Sequence, residues 1–327
     1  MISARPPKVS IITGYYNRSA VVDRTLRSLA NQSLRDIEII VFDDASTDDT
    51  PDRIRAFIDA EGDDRFRTIF QTQNLGFTRS LIGAIQEARG DYIAIQGSGD
   101  VSHVHRLAKQ AAHLDANPGV SVVGCYFVNI DEASGARVLR TPDASKVNLA
   151  SLRSRNIFAH GEVMMRRSTY EAAGGYRPVF KFSADYDLWL RMIQFGRFYT
   201  VPEVLYDRYM LNDGVSYNPR KAIEMVKFHT LGWRLSFDQS VYRELVTDQG
   251  ELRQPIDQVI PDSEHKVRRK LRRLAMRFAY FRQFESARYI ASRISPALVG
   301  KSISLIVSTS AGQALVSLAA RMHSIVK

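Results

Sequence analysis

Two adjacent carboxylates, Asp43 and Asp44, close a short apolar run made of Ile37, Ile39, Ile40, Val41 and Phe42, and the polar turn ASTDDT follows them. An apolar run that stops at turn residues is the pattern of a parallel strand buried on both faces. In open α/β sheets a ligand sits just beyond the carboxyl ends of the strands, so this acid pair falls where binding chemistry belongs. The competing reading for Asp43 is a solvated turn. A second pair, Asp185 and Asp187, opens the run SADYDLWLR, at a helix start where the dipole favours negative charge. Several other chemistries are excluded. No G-x-G-x-x-G follows the first strand, no phosphate-loop motif occurs, and neither a Cys/His metal cluster nor a Ser/His/Asp elbow is present.

Such groups need a scaffold, and the first half of the chain supplies one. Residues 9–13 read as a strand, and Ser19 is expected to cap a helix with Val22, Leu26, Leu29 and Ala30 on one face. The acid-ended strand follows, with Asp48 or Asp49 as helix cap and Pro51 in the first turn. Residues 66–70 and 92–95 read as strands, 81–88 and 103–116 as helices, and 120–125 as a further strand. This βαβα alternation predicts an α/β fold, Rossmann-like, with a mostly parallel sheet and helices on both faces. Later, residues 127–140 read as a hairpin, 141–155 as loop and the AHGEV run as a strand. A short helix is expected from Ser168, and residues 198–201 and 204–209 read as a strand pair.

Length and charge bound the rest. The chain has 327 residues, 45% of them hydrophobic, enough for about two domains or one domain with an appendage. A single cysteine, Cys125, excludes an internal disulfide and suits a reducing cytoplasm; residues 2–8 carry no apolar leader core. The net charge of +10 is concentrated at one end. Residues 265–327 hold 13 Lys or Arg against one acid, Glu285, whereas residues 1–264 hold 32 basic against 34 acidic side chains. Within this tail Val267, Leu271, Leu274, Phe278, Phe281, Phe284 and Ile290 fall near helical spacing, beside a crowd of Lys and Arg. The alternatives are a packed helical bundle and a basic amphipathic face on an anionic membrane, with an oligomer interface as a further use of the bundle. Residues 302–320 are uncharged but rich in serine, and read as an interfacial or packed helix pair. Nucleic acid is not expected as a partner, since the basic run matches no binding motif.

The runs VSIITGYYNR, IEIIVFDDAST, Asn74 with Gly76, RGDYIAIQGSGD, GGYRPVF and SADYDLWLR come in the order and spacing of the inverting family-two glycosyltransferases with the GT-A fold. The chain resembles that family over residues 7–216. The resemblance implies a GT-A domain over 1–220, followed by a linking helical segment, 221–264, and the basic tail, 265–327. It implies sugar transfer from a nucleotide-sugar, a UDP-sugar foremost, to a glycan or lipid-linked acceptor in bacterial surface polysaccharide synthesis, at the inner face of the cell membrane. A GT-A domain that has lost turnover and only binds nucleotide-sugar or glycan is the alternative.

Residue by residue, the resemblance implies that Thr13, Tyr16, Asn17, Arg18, Asp44, Asn74 and Arg79 bind the nucleotide. Tyr16 would lie against the base, Asp44 would accept from its imide and Arg79 would face the phosphates. Ser98, Gly99 and Asp100 would meet the donor sugar or diphosphate, Asp185 would be the catalytic base, and His160 with Glu162 would line the acceptor side. The sequence departs from the family at two places. Gly97 and Gly99 stand where acids of the D-x-D metal motif are usual, leaving Asp100 alone, and Met210 stands where many members have histidine. Dependence on Mg or Mn is thereby put in doubt. The Gly-Ser-Gly turn is either a nest of N–H groups for a phosphate or simply a tight turn. For Asp187 the preferred reading is structural, a pair with Arg191.

Overall fold

The computed structural model describes residues 5–210, 218–280 and 283–294. They fall into two compact units, Met1–Leu211 and Asn212–Lys327.

In the first unit, β1 (Val9–Tyr15), α1 (Val22–Ala30), β2 (Ile37–Asp43), α2 (Thr50–Glu61), β3 (Phe66–Phe70), α3 (Phe77–Glu87) and β4 (Tyr92–Gln96) alternate as the pattern requires. β5 (Val101–Ser102), α4 (Arg106–Ala116), β6 (Val120–Asp131), β7 (Arg137–Arg140) and α5 (Leu149–Ser154) follow. Then come β8 (Met164–Arg166), α6 (Arg167–Ala172), α7 (Ala184–Met192) and β9 (Arg197–Met210). The fold is α/β, a mostly parallel sheet in the order β3-β2-β1-β4-β8-β6-β9-β5, with β7 paired to β6. β1 and β2 are buried along their whole length, which explains their mostly apolar runs. The register sets Tyr15 opposite Asp43, Asp43 opposite Phe70 and Thr13 opposite Gln96, so four strands end at one edge. The chain leaves β1 toward β2 and β3 and returns to β4 on its other side. This reversal opens a crevice between the ends of β1 and β4.

Local differences from the sequence reading have local causes. Ser19 caps nothing and begins a 3-10 turn, Ser19–Val21, ahead of α1. Asp49 occupies the cap position of α2 without a side-chain bond, while Asp48 accepts from the Thr50 N–H at 3.0 Å. The strand pair expected at 198–209 is one strand, because Pro202 and Glu203 bulge out between Val201 and Val204 instead of turning the chain. The loop expected at 141–155 contains α5, whose cap Asn148 and third residue Ser151 bond reciprocally. The AHGEV run is a 3-10 turn, His160–Glu162, before β8.

The second unit is helical: α8 (Pro219–Leu235), α9 (Ser240–Leu245), α10 (Ile256–Val259), α11 (His265–Tyr280) and α12 (Phe284–Ser292). The apolar face of α11, Val267, Leu271, Leu274 and Phe278, is buried, and α11 packs on α8 and α12. A fully buried Lys227 on α8 is met by Asp257 and Asp262, which also hold Arg293. Segments expected as a linker and a separate tail therefore share one core across 221–264 and 265–294. The expectation for residues 302–320 lies outside the described residues. Among the described residues no helix is long and apolar enough to cross a membrane.

Candidate active site

The crevice is built first from β1 and β2. Tyr16, just past β1, is 47% exposed, so its ring is open to a planar partner. Asn17 takes a left-handed backbone, φ 51°, a conformation Asn tolerates. Its N–H donates to Ser46 Oγ at 2.8 Å, and its side-chain oxygen accepts from the Thr47 N–H at 2.8 Å. The Arg18 N–H donates to Thr50 Oγ1 at 2.8 Å. The segment after β1 and the acid turn are thus laced together. Asp43 is not a solvated turn residue: it is buried and accepts from the N–H and hydroxyl of Ser46.

Asp44 has a different task. Its Oδ1 accepts from the Leu75 N–H at 2.9 Å and Ser80 Oγ at 2.7 Å, and Oδ2 from the Gly76 N–H at 2.9 Å. Asn74 Nδ2 donates to the Asp44 carbonyl at 3.0 Å. The carboxylate thereby carries the loop that leads into Arg79. An ionised carboxylate offers about four acceptor positions, so roughly one is left on Asp44 for a ligand. Thr13 is buried within β1 beneath this layer.

On the other bank of the crevice stands the turn after β4. Gly99 has φ 95° and donates its N–H to Thr25 Oγ1 at 2.8 Å. The Gly97 N–H donates to the Tyr206 hydroxyl at 3.0 Å, that hydroxyl donates to Asp100 Oδ2 at 2.6 Å, and the Tyr209 N–H donates to Asp100 Oδ1 at 2.8 Å. The Asp100 N–H returns to the Gly97 carbonyl at 3.2 Å. Of the two readings of Gly-Ser-Gly, the tight turn is the one built, with Ser98 the residue whose N–H has no partner among the described residues. Asp100 is folded back over Gly97, whose added Cβ would lie 2.3 Å from Oδ2, and burial pushes its carboxyl up. A hard divalent cation prefers ionised oxygen ligands with open positions. These residues do not fit one, and among the described residues no group of three His, Cys, Asp or Glu side chains is arranged to hold a metal.

The third wall comes from α7 and the 3-10 turn. Asp185 lies in the first turn of α7; Asn156 Nδ2 donates to its Oδ2 at 2.8 Å, and Oδ1 takes no hydrogen bond from the described residues. His160 Nε2 and the Tyr176 hydroxyl are 2.6 Å apart, and the imidazole meets the rings of Phe77 and Tyr176 edge-on. Burial lowers the His160 pKa, with the Asp185 charge opposing. His160 therefore stands beside Asp185 as a neutral ring. Glu162 is a correction: fully buried, it accepts from the Cys125 and Ala159 N–H groups at 2.7 and 3.1 Å, and burial pushes its carboxyl up to about 8. It holds the turn from below and cannot line a surface. Asp187 is buried against Arg191 at 2.7 Å and Arg177 at 3.3 Å, the structural role expected of it.

Asn156 and Tyr176 escaped as site candidates because loop residues carry no periodic signal, and Phe77 because it only begins α3. Arg106 escaped too. Fully buried, it donates to the carbonyls of Ile95 and Gly161 at 3.1 and 2.6 Å, tying the end of β4 to the His160 turn.

Comparison with known proteins bears on the family and the fold. The profile described as Glycosyl transferase family 2 matches residues 10–182. EpsE of Bacillus subtilis strain 168, named as a glycosyltransferase, is 38% identical over 205 residues, covering 61% of this chain and 72% of that protein. TuaG of the same strain, named for teichuronic acid biosynthesis, is 26% identical over 225 residues, covering 68% and 86%. Among solved structures, the mannosyltransferase PcManGT of Pyrobaculum calidifontis, in complex with GDP-Man and Mn2+, superposes with a TM-score of 0.56 at 17% identity, over 98% of this chain and 88% of that one. TarS 1-349 of S. aureus in complex with UDP gives 0.56 at 14%, over 97% and 92%. The structural likeness is one of fold, GT-A.

Proposed function

This chain belongs to glycosyl transferase family 2, and from that premise we propose that it moves a sugar from a nucleotide-sugar to a glycan or lipid-linked acceptor, with inversion, in surface polysaccharide synthesis. The base of the nucleotide lies on Tyr16 and meets the remaining acceptor position of Asp44. Asn17, Arg18 and Asn74 surround it, Arg79 faces the phosphates, and the diphosphate faces the turn at Ser98. The complexes of TarS with UDP and of PcManGT with GDP-Man support a nucleotide-sugar donor, and a UDP-sugar is the first candidate.

One observation carries the reading. Asp185 is held on one oxygen by Asn156 while its other oxygen takes no hydrogen bond from the described residues. That is the arrangement of a positioned general base. It accepts the proton of the acceptor hydroxyl as that oxygen attacks the anomeric carbon, opposite the departing diphosphate. His160 and Phe77 border the acceptor beside it. Replacing Asp185 by Asn keeps size and hydrogen bonding but removes basicity. Release of nucleoside diphosphate should fall by roughly 10² to 10⁴ while calorimetric nucleotide affinity stays put. Wild-type turnover in Asp185→Asn would place the base elsewhere.

The loss of acids at Gly97 and Gly99 favours a second reading, a nucleotide-sugar binding module. A wild-type protein that binds UDP yet releases none from UDP-sugars on a broad acceptor pool would establish it. For localisation we propose a cytoplasmic protein peripheral to the membrane. Since the apolar face of α11 is buried within its own unit, membrane contact would rest on the exposed basic residues Arg269 and Arg273.

A further inference from the structure

We propose that the face where α11 packs on α8 is a binding site for a phosphate-type dianion, held by Lys266 and Lys270 beside Trp233 and His229. Two pairs of residues one turn apart face each other there. Lys266 and Lys270 share a face of α11, and His229 and Trp233 share a face of α8. Lys266 Nζ sits 3.4 Å from the centroid of the Trp233 ring, and both lysines are withdrawn in part from solvent.

Neither lysine makes an ion pair among the described residues, and three acids of this unit are engaged with other cations. Glu264 holds Arg234 at 2.8 Å, and Asp257 and Asp262 are divided between Lys227 and Arg293. Withdrawing ammonium groups from water without a counter-charge is unfavourable. The ionisation of these groups registers it. Burial, helped by Lys266 and Arg269, lowers Lys270 to about 7. Burial and Arg269 lower Lys266 to about 8 with the Glu264 charge opposing, and burial with both lysines lowers His229 to about 3. A monoanion would compensate one of the two ammonium groups, whereas a dianion compensates both. Lysine serves phosphate as a point charge, and the first turn of α11 adds its positive dipole end to the same place. The phosphate can come from a lipid headgroup or from a soluble phosphate or diphosphate.

The test uses the full chain at neutral pH, with Trp233 emission as the reporter and Trp233→Phe to assign the signal. Pyrophosphate should give a saturable change that weakens roughly tenfold or more in Lys266→Met and in Lys270→Met. Without ligand, Lys270→Met should melt higher than wild type, since it removes an uncompensated charge, so lost binding is separable from lost folding. Vesicles of phosphatidylcholine with phosphatidic acid, set against phosphatidylcholine alone, separate the two sources. Displacement of pyrophosphate by the acidic vesicles assigns the site to a headgroup, and saturable pyrophosphate binding that they leave untouched assigns it to a soluble phosphate. The proposal is overturned if pyrophosphate gives no saturable response and vesicle binding ignores both lysines, or if both variants keep wild-type affinity.

Discussion

Asp44, Asp100 and Asp185 are carboxylates at the boundaries of elements, and they differ in how many of their acceptor positions the protein itself fills. Asp44 carries three protein donors, Asp100 two while buried, and Asp185 one while partly open. Sequence spacing marks all three alike, since it places a side chain at a strand or helix end and is blind to what the neighbouring loop donates. The count leaves Asp185 freest to act as a base and Asp100 least suited to a cation. Restoring an acid by Gly97→Asp should therefore fail to create a metal site. The new side chain would start 2.3 Å from Asp100 Oδ2, and thermal unfolding should show a loss of roughly 1 to 3 kcal/mol. Wild-type turnover should likewise survive EDTA. Activity that vanishes with EDTA and returns with manganese, or a stable Gly97→Asp that gains manganese dependence, would contradict this account of the turn.

At the scale of elements, the 3-10 turn His160–Glu162 carries His160, proposed for the acceptor side, and it rests on a buried acid. With Glu162 raised from 4.5 to about 8 by burial, the folded state holds a proton that the unfolded chain releases at lower pH. The contribution to stability is full below pH 4.5 and is lost as pH rises through about 8. Melting midpoints compared between wild type and Glu162→Gln should diverge along that interval, with the variant showing the flatter profile. Parallel profiles would mean that Glu162 is ionised in the fold and held so by Arg106 and the two N–H groups. The turn was read as a strand because its apolar neighbours, Val163 and the β8 residues Met164 and Met165, lent it their pattern. The buried strands β1 and β2, by contrast, were legible nearly to the residue, since a two-sided core leaves no alternative for an apolar run ended by acids.

At the scale of the whole molecule, charge is segregated by sequence but distributed by packing. Residues 265–327 carry more than the entire positive excess, yet α11 turns its apolar stripe inward onto α8 and α12 and leaves Arg269 and Arg273 exposed. If these arginines meet an anionic surface, the double variant Arg269→Glu, Arg273→Glu should lose cosedimentation with acidic vesicles at moderate salt. Each arginine near such a surface is worth about 1 kcal/mol before screening. Nucleotide affinity should be untouched. Undiminished cosedimentation would remove α11 from the proposed membrane contact.

The sequence by itself determined the α/β alternation, the family resemblance and the strand ends that meet at the crevice, because burial on both faces writes itself as apolar runs and turn residues. It also determined the departure at Gly97 and Gly99. Only the tertiary structure decided that Asp100 is closed by Tyr206 and Tyr209, that Glu162 lies under the site, that Asn156 and Tyr176 join it, and that Lys266 packs on Trp233 without an ion pair among the described residues. Those outcomes depend on donors brought together from more than 100 residues away, as with Tyr206 and Asp100, or from another helix, as with Lys266 and Trp233. Hydrogen-bond pairing across such separations has no period for a sequence to display.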